Sequence, residues 1–63
     1  MEVYQARVLQ EYSDLGIKIQ ALTKFLKVST QPLKAEDRQL LEEQLRHMKA
    51  YADVLQRRIE AFQ

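Results

Sequence analysis

The side chains best suited to metal or acid–base chemistry are few in this sequence and poorly spaced for it. His47 is the single histidine among 63 residues, and there is no cysteine. A metal site needs several such ligands at fixed spacings, and neither HExxH nor a Glu-x-x-His element is present. Glu43, one helical turn before His47, is interpreted as its neighbour on a solvated helix face. We therefore expect no metal and no cofactor.

Two pairs of adjacent acids, Glu36–Asp37 and Glu42–Glu43, raise the question of general acid–base catalysis. Neighbouring residues of a helix point about 100° apart, so neither pair forms a catalytic dyad. No hydroxyl residue stands in a motif with an activating base, and there is no glycine-rich loop to hold a phosphate. The sequence predicts a protein that is not an enzyme.

The basic residues are concentrated in one stretch without acids. Residues 15–34 contain no Asp or Glu but contain four lysines: Lys18, Lys24, Lys27 and Lys34. This stretch is a candidate anion-binding surface for nucleic acid or a nucleotide messenger. The alternative is a solvated tip, because lysines near a helix C-terminus also favour the helix dipole. The net charge of +1 is near neutral and gives no support to nucleic acid, which we do not expect as a partner.

Apolar residues at heptad spacing predict the two helices that must position these side chains. The spacing alternates between four and three in each half of the chain, which places the residues on one stripe of a helix. The stripe residues are Val8, Tyr12, Leu15, Ile19, Leu22 and Leu26, then Leu41, Leu45, Met48, Ala52, Leu55, Ile59 and Phe62. Pro32 lies between the stripes and disfavours helix at the residue before it.

The predicted fold is all-α, with residues 1–63 forming a single antiparallel two-helix hairpin. Helix 1 is expected at about 2–28, a turn at 29–34, and helix 2 at about 35–62. Acid-first pairs at i,i+4 are typical of solvated helix faces. The sequence has three such pairs: Asp14–Lys18, Glu42–Arg46 and Asp53–Arg57.

The apolar residues beside the stripes exceed what one pair of helices covers. Phe25, Leu40, Tyr51 and Val54 widen the apolar surface beyond a heptad seam. A chain of this size is only marginally stable by itself, and without disulfides we expect association to supply the further stability. We therefore predict a homodimer, a four-helix bundle whose core and interface contain the stripe residues and these four. The alternative is that a different protein covers them.

The composition and the start of the sequence indicate a cytoplasmic protein. Hydrophobic residues are 46% and charged residues 30%, as in ordinary globular chains. No apolar run approaches the roughly 20 residues of a membrane span, so we expect no membrane association. Met1-Glu2-Val3-Tyr4 lacks the basic-then-apolar order of a signal peptide.

Two stretches of the sequence resemble a family of very short phage and prophage proteins. The family includes the small lytic-development protein of the exo–xis region of lambda-like coliphages. The stretches are Val3-Tyr4-Gln5-Ala6-Arg7-Val8-Leu9-Gln10-Glu11 and Gln44-Leu45-x-x-Met48-x-x-Tyr51-x-x-x-Leu55-x-x-Arg58-Ile59. The resemblance implies an all-helical homodimer made early in lytic growth in the bacterial host cytoplasm, acting through host or phage factors and not through catalysis.

Three functions follow as hypotheses. The leading hypothesis is a phage-encoded early regulatory protein, a homodimeric helical scaffold that engages host or phage factors. The first alternative is an anti-defence protein that sequesters a nucleotide signal or blocks an immune effector. The second alternative is a weak nonspecific nucleic-acid binder that uses the lysines.

Overall fold

A computed structural model describes residues 2–28 and 33–62 of the chain, and these residues form two α-helices. Helix α1 spans Val3–Val28 and helix α2 spans Ala35–Glu60. The helices pack against each other as an antiparallel hairpin with Cα dimensions of 47 × 15 × 14 Å. The predicted all-helical hairpin is confirmed. The predicted turn at 29–34 lies outside the described residues except for Leu33 and Lys34, which precede α2.

Helix α1 begins after Glu2, which occupies the N-cap position. The backbone carbonyl oxygen of Glu2 accepts hydrogen bonds from the N–H groups of Gln5 and Ala6, both at 3.1 Å. In return, the backbone N–H of Glu2 donates to the side-chain Oε1 of Gln5 at 3.0 Å. This is the half of a capping box in which the third helical residue reaches back to the N-cap. It satisfies one N–H group that the helix itself cannot pair.

Arg38 joins the end of α1 to the start of α2. Its guanidinium donates a 3.0 Å hydrogen bond to the backbone carbonyl oxygen of Leu26. The last four carbonyls of a helix have no partner within it, and a cation there also favours the helix dipole. The same guanidinium forms an ion pair with Glu42 at 3.2 Å. Arg38 therefore fixes the tip of the hairpin, where α1 ends and α2 begins.

The local ion pairs follow the predicted spacing only in part. Asp53 and Arg57 pair at 3.1 Å, as expected. Glu42 pairs with Arg38 on its N-terminal side, although we expected Arg46. Both arginines stand four residues from Glu42, and the engagement of Arg38 at the tip favours that partner.

Helix α2 ends at Glu60, two residues before the predicted boundary. The backbone N–H of Ala61 is shared between the carbonyl oxygens of Arg57 and Arg58, at 3.2 Å each. The N–H of Phe62 then donates to the carbonyl of Ile59 at 3.0 Å. The two i,i+3 bonds, from Ala61 to Arg58 and from Phe62 to Ile59, tighten the last turn and end the α-helical pattern. The ring of Phe62 still reaches α1, where it meets the ring of Tyr4 edge-to-face at 6.0 Å.

The core is a single shallow seam between the helices. All thirteen stripe residues are buried or half-buried. Among the described residues, Val8 and Leu55 are the two that are fully enclosed, with exposed fractions of 5% and 0%. One row of side chains from each helix cannot surround the other, so most stripe residues keep an edge in solvent.

Leu55→Ala is expected to lower the free energy of unfolding by about 2–5 kcal/mol, because it removes buried methyl groups and leaves a cavity. Chemical unfolding followed by circular dichroism measures this loss. Gln39→Ala, on the exposed side of the same helix, is the matched control and should stay within about 0.5 kcal/mol of the parent. A loss below about 1 kcal/mol for Leu55→Ala would contradict the seam as the core.

Gly16→Ala is expected to raise the free energy of unfolding by about 0.5–1 kcal/mol, because alanine loses less backbone entropy in a helix. No heavy atom of a neighbouring element lies within 4 Å of the position that a Cβ would take at Gly16. The same unfolding experiment measures the gain. A loss of stability would instead show that another chain or ligand packs closely against Gly16.

Candidate functional site

Two tyrosine contacts between the helices mark the two broad sides of the hairpin. On one side the hydroxyl of Tyr51 donates to a carboxylate oxygen of Glu11 at 2.6 Å. On the other side the hydroxyl of Tyr12 lies 3.5 Å from the Oε1 of Gln56. Successive helix positions point about 100° apart, and this rotation places the two contacts on either side of the seam. We call these sides the Tyr51 face and the Gln56 face.

The exposed apolar side chains belong to the Tyr51 face and to the outer side of α1. Their helical positions place five on the Tyr51 face, with exposed fractions of 38–62%: Tyr4, Phe25, Leu40, Tyr51 and Val54. Val3, Ile17 and Val28 are exposed on the outer side of α1, away from α2. By the same helical positions, Val28 is the one exposed large apolar side chain of the described residues that also borders the Gln56 face, near the tip. The hairpin therefore has one apolar and one mostly polar broad side.

An open groove of about 430 Å³ runs along the Tyr51 face. It is lined by Arg7, Gln10, Glu11, Asp14, Leu15, Lys18 and Tyr51. Two bases and two acids share this lining, so their formal charges cancel. The hydrogen bond to Glu11 is the main cause that raises the pKa of Tyr51, with smaller contributions from burial and from the negative charge of Glu11. Tyr51 therefore acts here as a neutral hydrogen-bond donor.

A second open groove, of about 300 Å³, lies on the Gln56 side of α1 near the tip. It is lined by Ile19, Gln20, Thr23, Lys24, Lys27 and Val28. Ile19 and Val28 supply apolar surface, and Lys24 and Lys27 supply two positive charges. The hydroxyl of Thr23 donates to the backbone carbonyl of Ile19 at 2.7 Å, which fixes its orientation. We call this the lysine groove; none of its lining residues is an acid.

The structure divides the four lysines that the sequence grouped as one surface. Lys24 and Lys27 line the lysine groove. Lys18 lines the other groove, beside two acids, and Lys34 is exposed before the start of α2. Lys18 and Lys27 are nine residues apart. At about 100° per residue this is a net rotation of about 180° around the helix axis, so the two side chains point in opposite directions. The candidate anion site is narrowed to Lys24 and Lys27.

The remaining candidates for chemistry stand apart from both grooves. His47 is exposed on α2, and Glu43 is half-buried. Within residues 2–28 and 33–62, no three His, Asp or Glu side chains lie close enough together to hold a metal ion. Neither described helix combines the length and the apolar character that crossing a membrane requires.

Comparison with known proteins identifies the family. Residues 2–61 match the family model described as Sequestin. The chain belongs to the Sequestin family. It is also 44% identical, over 63 residues and 98% of each chain, to a protein of Enterobacteria phage T4 described as "Uncharacterized 7.5 kDa protein in denB-rIIB intergenic region". No solved structure matches the chain.

Membership of the Sequestin family and the T4 relative support the broader part of the resemblance seen in the sequence, that of a small phage protein. They do not extend to the lytic-development protein of the exo–xis region, so that part stays a prediction. The predicted homodimer likewise stays a prediction, because the structure contains one chain.

The stability of this Sequestin-family hairpin is expected to fall at high pH through Tyr51. The pKa of Tyr51 is raised above its ordinary value of 10.0. A group whose pKa is higher in the folded protein stabilises the fold below its unfolded pKa, and this contribution is lost as pH rises through the folded pKa. Thermal unfolding from about pH 8 to about pH 11 should therefore show a steeper loss for the parent than for Tyr51→Phe. Identical profiles would contradict the Tyr51–Glu11 hydrogen bond.

Proposed function

We propose that this protein is a non-catalytic phage protein that acts in the host cytoplasm by sequestering a nucleotide signal used in host defence. The observation that carries the proposal is the lysine groove, where Lys24 and Lys27 stand beside apolar surface without an acid among the lining residues. The name of the Sequestin family supports sequestration as the mode of action. The phage relative supports a role during infection.

The lysine groove offers each kind of contact that a nucleotide needs. Ammonium groups of lysine bind phosphate oxygens through charge-assisted hydrogen bonds. The apolar surface of Ile19 and Val28 can pack against a flat base, and the amide of Gln20 can both donate to and accept from its polar edge. A volume of about 300 Å³ is at the lower end of the range for small-molecule sites. We therefore infer a ligand the size of one nucleotide unit in each groove.

Binding alone is sufficient for this function. A protein that removes a signal by sequestration needs affinity and copy number, and its effect depends on the number of sites rather than on turnover. The two lysines would supply the affinity for phosphate, while the apolar surface would add discrimination in favour of a ligand that carries a base. Inorganic phosphate should therefore bind more weakly than a nucleotide.

A second candidate function is supported by the Tyr51 face. Its exposed side chains include Leu40 at 62% and Tyr51 at 43%, and aromatic and aliphatic anchors of this kind often dominate protein interfaces. In that case the protein would be a regulatory scaffold that engages a host or phage protein, or blocks an immune effector directly. Lys24 and Lys27 would then contribute little to the activity.

Nucleotide binding is expected to raise the thermal unfolding midpoint. At a ligand concentration about 100-fold above Kd, mass action adds about 2.7 kcal/mol, which corresponds to roughly 10 °C or more for a domain of this size. The panel would contain cyclic mononucleotides, cyclic dinucleotides, linear nucleotides and inorganic phosphate. Lys24→Gln/Lys27→Gln should lose the shift, because the groove then carries no positive charge.

The control is Lys18→Gln/Lys49→Gln, which removes the same charge from exposed positions outside the lysine groove and should keep the shift. If no nucleotide in the panel stabilises the parent, sequestration of a nucleotide is wrong. A shift that both double variants retain would move the site away from Lys24 and Lys27. Capture of a host protein by the parent and by Lys24→Gln/Lys27→Gln alike, without a nucleotide shift, would favour the second candidate.

A further inference from the structure

The single hairpin exposes more surface than a compact protein of its mass. Its accessible surface is 5251 Å², whereas a folded monomer of 7.5 kDa exposes about 4,200 Å². Its radius of gyration is 14.6 Å, compared with about 11 Å for a compact chain of this length. The excess of about 1,000 Å² is comparable to the roughly 800 Å² that each partner buries in a standard stable interface.

The apolar part of this surface runs along the whole Tyr51 face. Phe25 and Leu40 lie toward the tip, Tyr51 and Val54 lie between the middle and the open end, and Tyr4 lies at the open end, with exposed fractions of 38–62%. A partner that covers them must therefore be about as long as the hairpin, which extends 47 Å. A second hairpin has this length.

The charges on the Tyr51 face suit a self-association. A twofold dimer uses the same patch on both copies. A patch with a net charge would therefore face an equal charge of the same sign on the other copy. The two bases, Arg7 and Lys18, and the two acids, Glu11 and Asp14, cancel within the groove of this face. Two such faces can approach without net repulsion, and acids of one copy can meet bases of the other. The lysine groove would repel its own copy, since its two charges have one sign.

We propose that a second copy of this chain packs on the Tyr51 face, forming a four-helix bundle whose two Gln56 faces stay in solvent. The bundle encloses the Tyr51–Glu11 hydrogen bond. This bond pairs the hydroxyl with a carboxylate oxygen, two groups that would be costly to bury alone. Both lysine grooves remain open on the outside. The inference goes beyond the proposed function and does not require it, because the interface and the lysine groove share no residue.

The experiment compares the oligomeric mass and the thermal unfolding midpoint of the parent protein and two double variants. Leu40→Lys/Val54→Lys places two charges in the proposed interface, at positions that are 62% and 41% exposed in one copy. Gln39→Lys/Ala50→Lys adds the same two lysines to exposed positions on the outer side of α2. Light scattering after size exclusion gives the mass, and unfolding at several protein concentrations gives the midpoint.

The parent and Gln39→Lys/Ala50→Lys should have twice the 7.5 kDa mass of one chain. Their thermal midpoints should rise with protein concentration, because association stabilises the folded form by mass action. Leu40→Lys/Val54→Lys should weaken the dimer on the order of 100-fold or more, because the unpaired charges would be desolvated in the interface. If this variant also loses helicity, the concentration dependence of the parent midpoint still tests the dimer.

A parent that has the mass of one chain, with a midpoint independent of concentration, overturns the proposal. A dimer that both double variants leave equally strong also overturns it, because the copies would then meet through another face. A parent that stays a monomer and binds a host protein through Leu40 and Val54 would assign the Tyr51 face to that protein instead. None of these results depends on a nucleotide, so they are separate from the test of the lysine groove.

Discussion

Two helices that meet along one seam can enclose very few side chains, and this constraint determines the rest of the structure. Of the described residues, Val8 and Leu55 alone are fully enclosed, although both stripes run the length of the hairpin. Hydrophobic stabilisation grows with the apolar area removed from water. Because a single seam leaves much apolar area in water, that area does not contribute to the stability of the fold. The remaining apolar area lies mainly on the Tyr51 face and the outer side of α1. A second layer of helices is the usual way in which all-α domains cover such a surface.

The sequence was sufficient to predict the helices, because heptad spacing reports the period of the helix directly. Residues such as Leu41 and Leu45 repeat at the interval that one helical face requires, and Pro32 separates the two stripes. The composition of a groove cannot be read in this way. It depends on which side of α1 the second helix covers, and only the structure places Lys24 and Lys27 in one groove and Lys18 in another. A count of lysines along the chain does not show on which side of α1 each of them lies.

The contacts between the helices also could not be predicted from the sequence. The bond from Tyr51 to Glu11 joins residues 40 apart in the chain, and the register of the two helices decides which residues meet. Local pairs were easier to predict, because i,i+4 spacing alone brings Asp53 and Arg57 together. Even there, Glu42 has an arginine four residues away on each side, and the acid-first rule favours Arg46. The contact of Arg38 with the carbonyl of Leu26 instead favours Arg38 as the partner of Glu42, and no local sequence pattern contains that contact.

The engagement of Arg38 also limits how strongly ionic strength can affect an anion bound near the tip. Its guanidinium already serves the Leu26 carbonyl and Glu42, so the cations lining the adjacent groove are Lys24 and Lys27. For duplex DNA, the logarithm of affinity falls with the logarithm of salt by about 0.9 for each phosphate neutralised. Two lysines therefore correspond to a slope of about 2, far below that of proteins that hold long polyanions. A groove with so few cations would therefore suit a compact anion with few phosphates better than a long polyanion.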